Sequence, residues 1–416
     1  MAKRYFSSKK KKDPNLFRII AVLTVLVVAL YWGLPAAKAL WDGHSAAKTE
    51  AAASGVLDTA EALLQEGKAA EAVAVLEPIA HALQDAELSA RSLLLLARAK
   101  EEQGEAGSAV ELLKGAYESL VGNPEHPRIA TRYAELAEKQ GDGQTTLKVY
   151  EDICANAAPG MRLSALMGLG RLSEKGDDMV EARDFYRQAL ADAMASEDEI
   201  RKAAWDVAAH ALGRLNVALF FSPMETPESK YYAVEPGDTL TSIGMKLNTT
   251  QGSLIRANAI NDPGRLRLNQ RLKYTPKDFR IVVERSACRI FLLDKQGLFK
   301  CYRTGLGMPG YETVLGRYTI GNKQKDPTWF RPGSSPVPPG DPENELGTRW
   351  MPLVPIEEGL PSDLGIHGTI VPETIGQYKS HGCPRMYKED VEELYDLVVR
   401  STPVEVVEEY ELPAAG

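Results

Sequence analysis

The chain is short of cysteine. Four thiols, Cys154, Cys288, Cys301 and Cys383, are spread through 416 residues, too few and too scattered for the disulfide frameworks that staple small secreted domains. A chain of this length buries enough apolar surface to fold without them. Only six histidines occur, and no grouping of His, Cys and acids has the tight spacing of a zinc site, so no such metal site is expected. Net positive charge is missing from almost the whole chain. Residues 1–18 hold Lys3, Arg4, Lys9, Lys10, Lys11, Lys12 and Arg18 against Asp13, a net +6, which leaves −14 on the remainder of a chain whose total is −8. Such an acidic body cannot replace phosphate counterions, and nucleic acid is excluded as a partner. Compositional bias is absent too: 44% hydrophobic and 25% charged residues are ordinary globular values. The length calls for two to four domains.

One long apolar run is present. Ile19–Leu34 carries no charge, and with its flanks the segment 16–37 approaches the ~20 residues that cross a bilayer. The cations of residues 1–15 precede it and Tyr31 and Trp32 stand at its far end, an order that keeps the basic tail in the cytoplasm and exports the rest. Ala37-Lys38-Ala39 also matches the small-x-small pattern of a signal cleavage site. The segment is therefore a transmembrane anchor or a signal, and either sends the chain out of the cytoplasm.

Residues 47–222 are rich in Ala, Leu and Glu at helical spacing and show no strand pattern. Gly67, Gly104, Gly141 and Gly176 each follow a Glu-containing helix end, at intervals of 37, 37 and 35 residues. A glycine there suits a left-handed helix cap between two antiparallel helices. This period resembles tetratricopeptide repeats, although the fuller aromatic and proline pattern of that family is missing. The resemblance implies an all-α solenoid of stacked hairpins that buries one face and offers another to envelope proteins.

After the polar, proline-bearing link "SPMETPESK" comes a short unit, residues 230–276: a strand near Tyr232–Val234, a helix that Asp238 or Thr239 can cap, a second helix near Gln251–Ala257, and a strand near Arg271–Tyr274. Gly237-Asp238-Thr239-Leu240, Ile243, Leu254, Asn258, Leu268 and Leu272-Lys273-Tyr274 resemble a LysM module, with Gly244 and Asn269 as mild departures. The resemblance implies a βααβ fold that holds N-acetylglucosamine-containing glycan between its first and last loops. Gly237, Asp238, Thr239, Leu240, Asn258, Ala259, Ile260 and Asn261 are the glycan-binding candidates.

From residue 279 to 410 the pattern is mainly β, with alternating or apolar runs bounded by Gly and turn residues. Cys288 and Cys301 flank a hairpin turning at Asp294–Gly297; in its simplest register Ile290 faces Cys301, and a disulfide there is allowed but not compelled. Cys383 differs from the other thiols in its neighbours. It sits in Ser380-His381-Gly382-Cys383-Pro384-Arg385, sixteen residues after His367, just before a helix. A thiol near its free pKa of ~8.5 is barely ionised at neutral pH, and an adjacent imidazole can take its proton and hold a thiolate–imidazolium pair. Gly382 permits close approach of a substrate, its N–H and that of Cys383 can face a developing oxyanion, and Arg385 offers a planar fork for a carboxylate.

His367-Gly368-Thr369 and Ser380-x-Gly382-Cys383-x-Arg385 resemble, position by position, the signature of the YkuD-type L,D-transpeptidase catalytic domain. Gly316, Trp329 with Pro327, Leu346-Gly347 with Trp350, and Gly376 fit weaker family positions. Pro384 departs from the usual aliphatic residue, and Val314 stands where many members have Pro. The resemblance implies acyl transfer on peptidoglycan peptide stems in the bacterial cell envelope, with Cys383 as nucleophile, His367 as base and then acid, and His381 assisting. Ser380, Gly382, Arg385, Gly368, Thr369 and Trp329 would shape the pocket, and a membrane-anchored enzyme would bind peptidoglycan through both glycan and stem.

Overall fold

The computed structural model describes residues 44–195, 199–330, 333 and 335–412. The expected basic tail at 1–15 and apolar segment at 16–37 lie outside these residues. Among the described residues no helix is long and apolar enough to cross a membrane.

The chain divides into two compact units, residues 1–156 and 157–416. The first contains three helical hairpins: α1 (His44–Gln65) with α2 (Ala69–Leu76), α3 (Ala86–Glu102) with α4 (Ala106–Ser119), and α5 (His126–Lys139) with α6 (Gly143–Asn156). At each turn a glycine is left-handed: Gly67 at φ 72°, Gly104 at 83° and Gly141 at 81°. The next N–H then returns to the carbonyl five residues back, Lys68 to Leu63 at 2.8 Å, Glu105 to Lys100 at 2.9 Å and Asp142 to Ala137 at 3.0 Å. These bonds occupy carbonyls that a helix end would otherwise leave orphaned. Ala72, Ala97, Ala109, Ala130 and Ala134 are fully buried, so small side chains bring the helices close.

The division falls inside the 47–222 stretch that the sequence presents as one array. The fourth hairpin, α7 (Leu163–Lys175) with α8 (Met179–Met194), and the long α9 (Glu199–Phe221) belong to the second unit. Its turn also differs. Gly176 keeps φ −86° and Asp177 takes the left-handed position at φ 63°, a conformation that Asp tolerates better than most residues. Asp178 N–H reaches Ser173 O at 2.9 Å, and the Asp178 carboxylate caps α8.

The end of α9 is built into the C-terminal domain instead of closing the repeats. Val217, Phe220 and Phe221 join the same core as Phe279 and Phe299, with Phe220 and Phe299 edge to face at 6.0 Å. Gly213 lies where a Cβ would come within 2.9 Å of the Lys300 side chain, and Asn216 Nδ2 donates to Phe299 O at 2.9 Å.

The short module has the expected topology: β1 (Lys230–Ala233), α10 (Leu240–Leu247), α11 (Gln251–Ala257) and β2 (Arg271–Tyr274), with β1 antiparallel to β2. Val234, Leu240, Ile243, Leu254 and Leu272 form its core. It is fastened on two sides. The buried Lys273 ammonium donates to the carbonyls of Leu219 (3.1 Å), Ser222 (2.6 Å) and Met224 (2.5 Å) at the end of α9, an interior cation held by oxygen donors. The hydroxyls of Thr250 and Ser253 donate to Asp396 O.

The C-terminal domain is a sheet in the order β10-β9-β7-β12-β3-β4-β5, with β8 (Gln324–Lys325) beside β9. These strands are β3 (Arg280–Glu284), β4 (Arg289–Asp294), β5 (Gly297–Arg303), β7 (Gly316–Ile320), β9 (Arg349–Pro355), β10 (Gly365–His367) and β12 (Pro403–Val407). Helix α12 (Lys388–Leu397) covers the core with Val391, Leu394 and Leu397. A separate parallel pair joins β6 (Leu306–Gly307) to β11 (Tyr378–Ser380). The β4–β5 register departs from the simple one. An irregularity at Leu292/Leu293 sets Phe291, not Ile290, opposite Cys301, because one extra residue on one strand shifts all later pairs. Both Cys288 and Cys301 are free thiols, as is Cys383.

Candidate active site

Two backbone ladders bring the segments of His367 and Cys383 side by side. His367 ends β10 and pairs with Trp350 of β9. On its other side its N–H donates to Pro384 O at 3.1 Å, and its carbonyl accepts from Met386 N at 2.9 Å. Arg385 exchanges both backbone bonds with Gly305 at 2.8 Å, and Thr304 Oγ1 also donates to Arg385 O at 2.8 Å. The residues after the thiol are thus clamped between β10 and the 304–305 strand edge. Pro384 costs nothing here, since the clamp uses its carbonyl and asks for no N–H.

The turn before the thiol is held as firmly. Buried Ser380 ends β11, where its Oγ accepts from Gly382 N at 3.2 Å and its carbonyl from Met308 N at 2.9 Å. Gly382 sits at φ 115°, and a Cβ there would come within 3.2 Å of Leu364. Its carbonyl accepts from the buried Thr313 hydroxyl at 2.6 Å, and the same hydroxyl accepts from Gly307 N at 3.1 Å. Because the Gly382 N–H is already spent on Ser380, it is not available to an oxyanion. The Cys383 N–H has no acceptor among the described residues.

The expected ion pair is not present at rest. Cys383 is partly buried and its sulfur lies 3.9 Å from Asp363 O. No hydrogen bond joins it to the imidazole, whose Nδ1 is buried without a partner. Burial pushes the Cys383 thiol up to about 11; the Gly365 backbone and Arg385 oppose this, and the Asp363 charge adds to it. Burial also takes the His367 imidazole down to about 4, with Arg385 adding and the Gly368 and Glu345 backbones opposing. Both groups are therefore neutral near pH 7, since desolvation disfavours the charged form of each.

The remaining candidates fall into two sets. Arg385 is nine-tenths buried, and its guanidinium is already paired: Nη2 meets Glu345 Oε2 at 2.9 Å, while Nε is buried and unpaired. Gly368 packs within reach of Leu346 and Gly347, and the Thr369 hydroxyl accepts from Val371 N at 3.0 Å; both serve the turn that follows His367. His381 is exposed, with its ring edge to face with Tyr311 at 5.2 Å, and it bonds to neither Cys383 nor His367. Trp329 exchanges backbone bonds with Val337 inside the proline-rich loop, which buried Asn344 ties together through Pro327 O and Pro338 O. Thr313, Glu345 and Asp363 were not singled out by the sequence, yet each touches a candidate residue. No group of three or more His, Cys, Asp or Glu among the described residues could hold a metal ion.

In the short module, four of the eight expected glycan residues are spent internally. Thr239, not Asp238, caps α10, in a reciprocal box with Ser242. Asp238 instead accepts from Tyr232 OH at 2.8 Å and Lys246 Nζ at 2.9 Å, which together with the Glu235 N–H hold its carboxylate down at about 2. Leu240 is buried in the core because it opens the inward face of α10. Asn258 bonds Leu254 O, Lys273 O and Lys273 N at 2.9, 2.8 and 2.7 Å. Gly237, Ala259 and Asn261 are exposed, and Ile260 is partly so.

Comparison with known proteins shows the family to which the chain belongs. A family model described as the L,D-transpeptidase catalytic domain matches residues 278–406, and a LysM domain model matches 232–275. The Putative L,D-transpeptidase YkuD of Bacillus licheniformis is 30% identical over 181 residues, 42% of this chain and 97% of that protein. Its Bacillus subtilis counterpart is 30% identical over 182 residues with the same coverage. Among solved structures, an L,D-transpeptidase from Mycobacterium tuberculosis is 17% identical, with a TM-score of 0.26 over 35% of this chain and 75% of that one. An Enterococcus faecium L,D-transpeptidase is 23% identical, with a TM-score of 0.26 over 31% and 50%. With a near-complete match to the Bacillus proteins and a clamped Cys383–His367 pair, this chain belongs to the YkuD family of peptidoglycan L,D-transpeptidases.

Proposed function

We propose that Cys383 carries out a two-step acyl transfer on tetrapeptide stems. The thiol proton passes to His367 as sulfur attacks the carbonyl carbon of the third stem residue. The Cys383 N–H donates to the developing oxyanion. The bond to the terminal D-Ala nitrogen breaks, and His367 returns the proton to that leaving amine. An incoming amine then attacks the thioester, gives its proton to His367, and restores the thiol. One amide is broken and one is formed, with no cofactor consumed.

A neutral imidazole suits this sequence because it is ready to accept a proton at pH 7. The observation that carries the reading is the His367–Pro384–Met386 backbone ladder, which holds His367, its Nδ1 unpartnered, beside the segment bearing Cys383. Ser380, Gly382 and Thr313 set the turn, Gly368 and Thr369 set the approach of His367, and His381 and Trp329 line the substrate side.

The domain roles follow from the same reading. The LysM module at 230–276 holds glycan through its exposed loop residues Gly237, Ala259 and Asn261, placing the 279–410 domain among peptide stems and raising their effective concentration. The helical hairpins from residue 47 onward form a tetratricopeptide-like platform for envelope proteins. Residues 1–37 anchor the chain at the inner membrane, with its folded units on the outer side. Purified chain incubated with tetrapeptide muropeptides should release D-Ala and form cross-linked dimers, and Cys383→Ala should do neither. Tripeptide without dimers would make water the acceptor, and no D-Ala release from wild type would contradict the activity.

A further inference from the structure

Arg385 is unusual in being both paired and unfulfilled. Its side chain is nine-tenths buried two residues after Cys383, and its backbone forms a parallel bridge with His367. It therefore lies near both reacting groups. A carboxylate binds a guanidinium best through two parallel bonds. Here Glu345 supplies one, Oε2 to Nη2 at 2.9 Å, and leaves Nε buried with no partner. An unpaired buried donor is costly, so the resting pair is a half-made site. The Glu345 side chain is 41% exposed against 11% for that of Arg385, so Glu345 can swing into water and uncover the fork, whereas Arg385 cannot leave.

We propose that Glu345 is a latch carboxylate that occupies Arg385 in the free enzyme and yields it to the carboxylate of the departing terminal residue of the stem. That carboxylate is present in every donor, whatever the third residue is. It lies two bonds beyond the scissile nitrogen, close enough for the guanidinium beside both reacting groups to hold it while the nitrogen takes the proton from His367. The incoming carboxylate completes the second bond at Nε that Glu345 leaves open. The exchange makes the enzyme selective for a free terminal carboxylate and charges each binding event the opening of the latch. Glu345 is thus a positioning and selectivity residue. It does not touch the reacting atoms.

This inference rests on the acyl-transfer reading above, and one experiment separates the two. Steady-state kinetics are measured with a tetrapeptide donor ending in free D-Ala and with the same donor ending in D-Ala carboxamide. Glu345→Gln should lower KM for the free acid about fivefold, the effect of removing one competing charge-assisted bond, and leave kcat and the carboxamide KM unchanged. Glu345→Asp, which keeps the charge, should return the free-acid KM toward wild type. Equal effects of Glu345→Gln on both donors, or a raised KM for the free acid, would overturn the latch while the activity stands. Wild type inert on both donors would overturn the activity reading and the latch with it.

Discussion

The Cys383 turn and the LysM loops are both candidate sites in the sequence, the first on a more specific motif than the second, and they hold their polar atoms differently. At the Cys383 turn, backbone groups are paired almost throughout, while three groups that face chemistry are left open: the Cys383 N–H, His367 Nδ1 and Arg385 Nε. In the LysM module the reverse holds. Asp238, Thr239 and Asn258 spend their side chains on Tyr232, Lys246, Ser242 and Lys273, and the exposed candidates that remain, Gly237, Ala259 and Asn261, offer backbone, a methyl group and one amide side chain. A buried polar atom without a partner is expensive, and those of His367 and Arg385 lie on the segments that flank Cys383. In the LysM module those internal bonds preserve the shape of the loops.

Two substitutions test this contrast. The larger effect belongs to Gly382→Ala, which strains a backbone at φ 115° and crowds Leu364. Strain of about 1–3 kcal/mol, placed at the nucleophile turn, should lower the melting temperature and, in the folded variant, lower kcat/KM for D-Ala release by about a hundredfold; retention of full activity would show that the turn tolerates looser geometry. A smaller effect, of the opposite kind, is expected from Asn258→Ala. Loss of its three bonds should cost about 2 kcal/mol of stability, read as a lower melting temperature, while the folded variant keeps its affinity for chitin oligomers. An unchanged melting temperature with lost glycan binding would make Asn258 a ligand-contact residue after all.

What the sequence disclosed and what it hid follow from sequence distance. The hairpins at Gly67, Gly104 and Gly141, the βααβ order and the His367–Cys383 constellation are all written in short contiguous stretches, and all were legible. The shift of the left-handed residue from Gly176 to Asp177 was not, because Asp adopts that conformation only when the loop demands it. Nor was the capture of α9 by the C-terminal core, since Asn216 finds its partner 83 residues away. The same reason hides Thr313, which acts on Gly382 across 69 residues, and Glu345, which meets Arg385 across 40. Desolvation is equally invisible in a motif. The pattern suggested a preformed thiolate–imidazolium pair, and burial of both groups produces a neutral one.

That neutral pair is the claim on which the mechanism turns, and the pH dependence of Cys383 alkylation in the free enzyme tests it most directly. With the thiol pushed up to about 11, only on the order of one sulfur in ten thousand is ionised at pH 7. Iodoacetamide labelling, read on the peptide that contains Cys383, should therefore be slow at neutral pH and climb about tenfold per pH unit through pH 9 with no plateau. A rate that levels off between pH 5 and 7, as a resting thiolate–imidazolium pair would give, would contradict it.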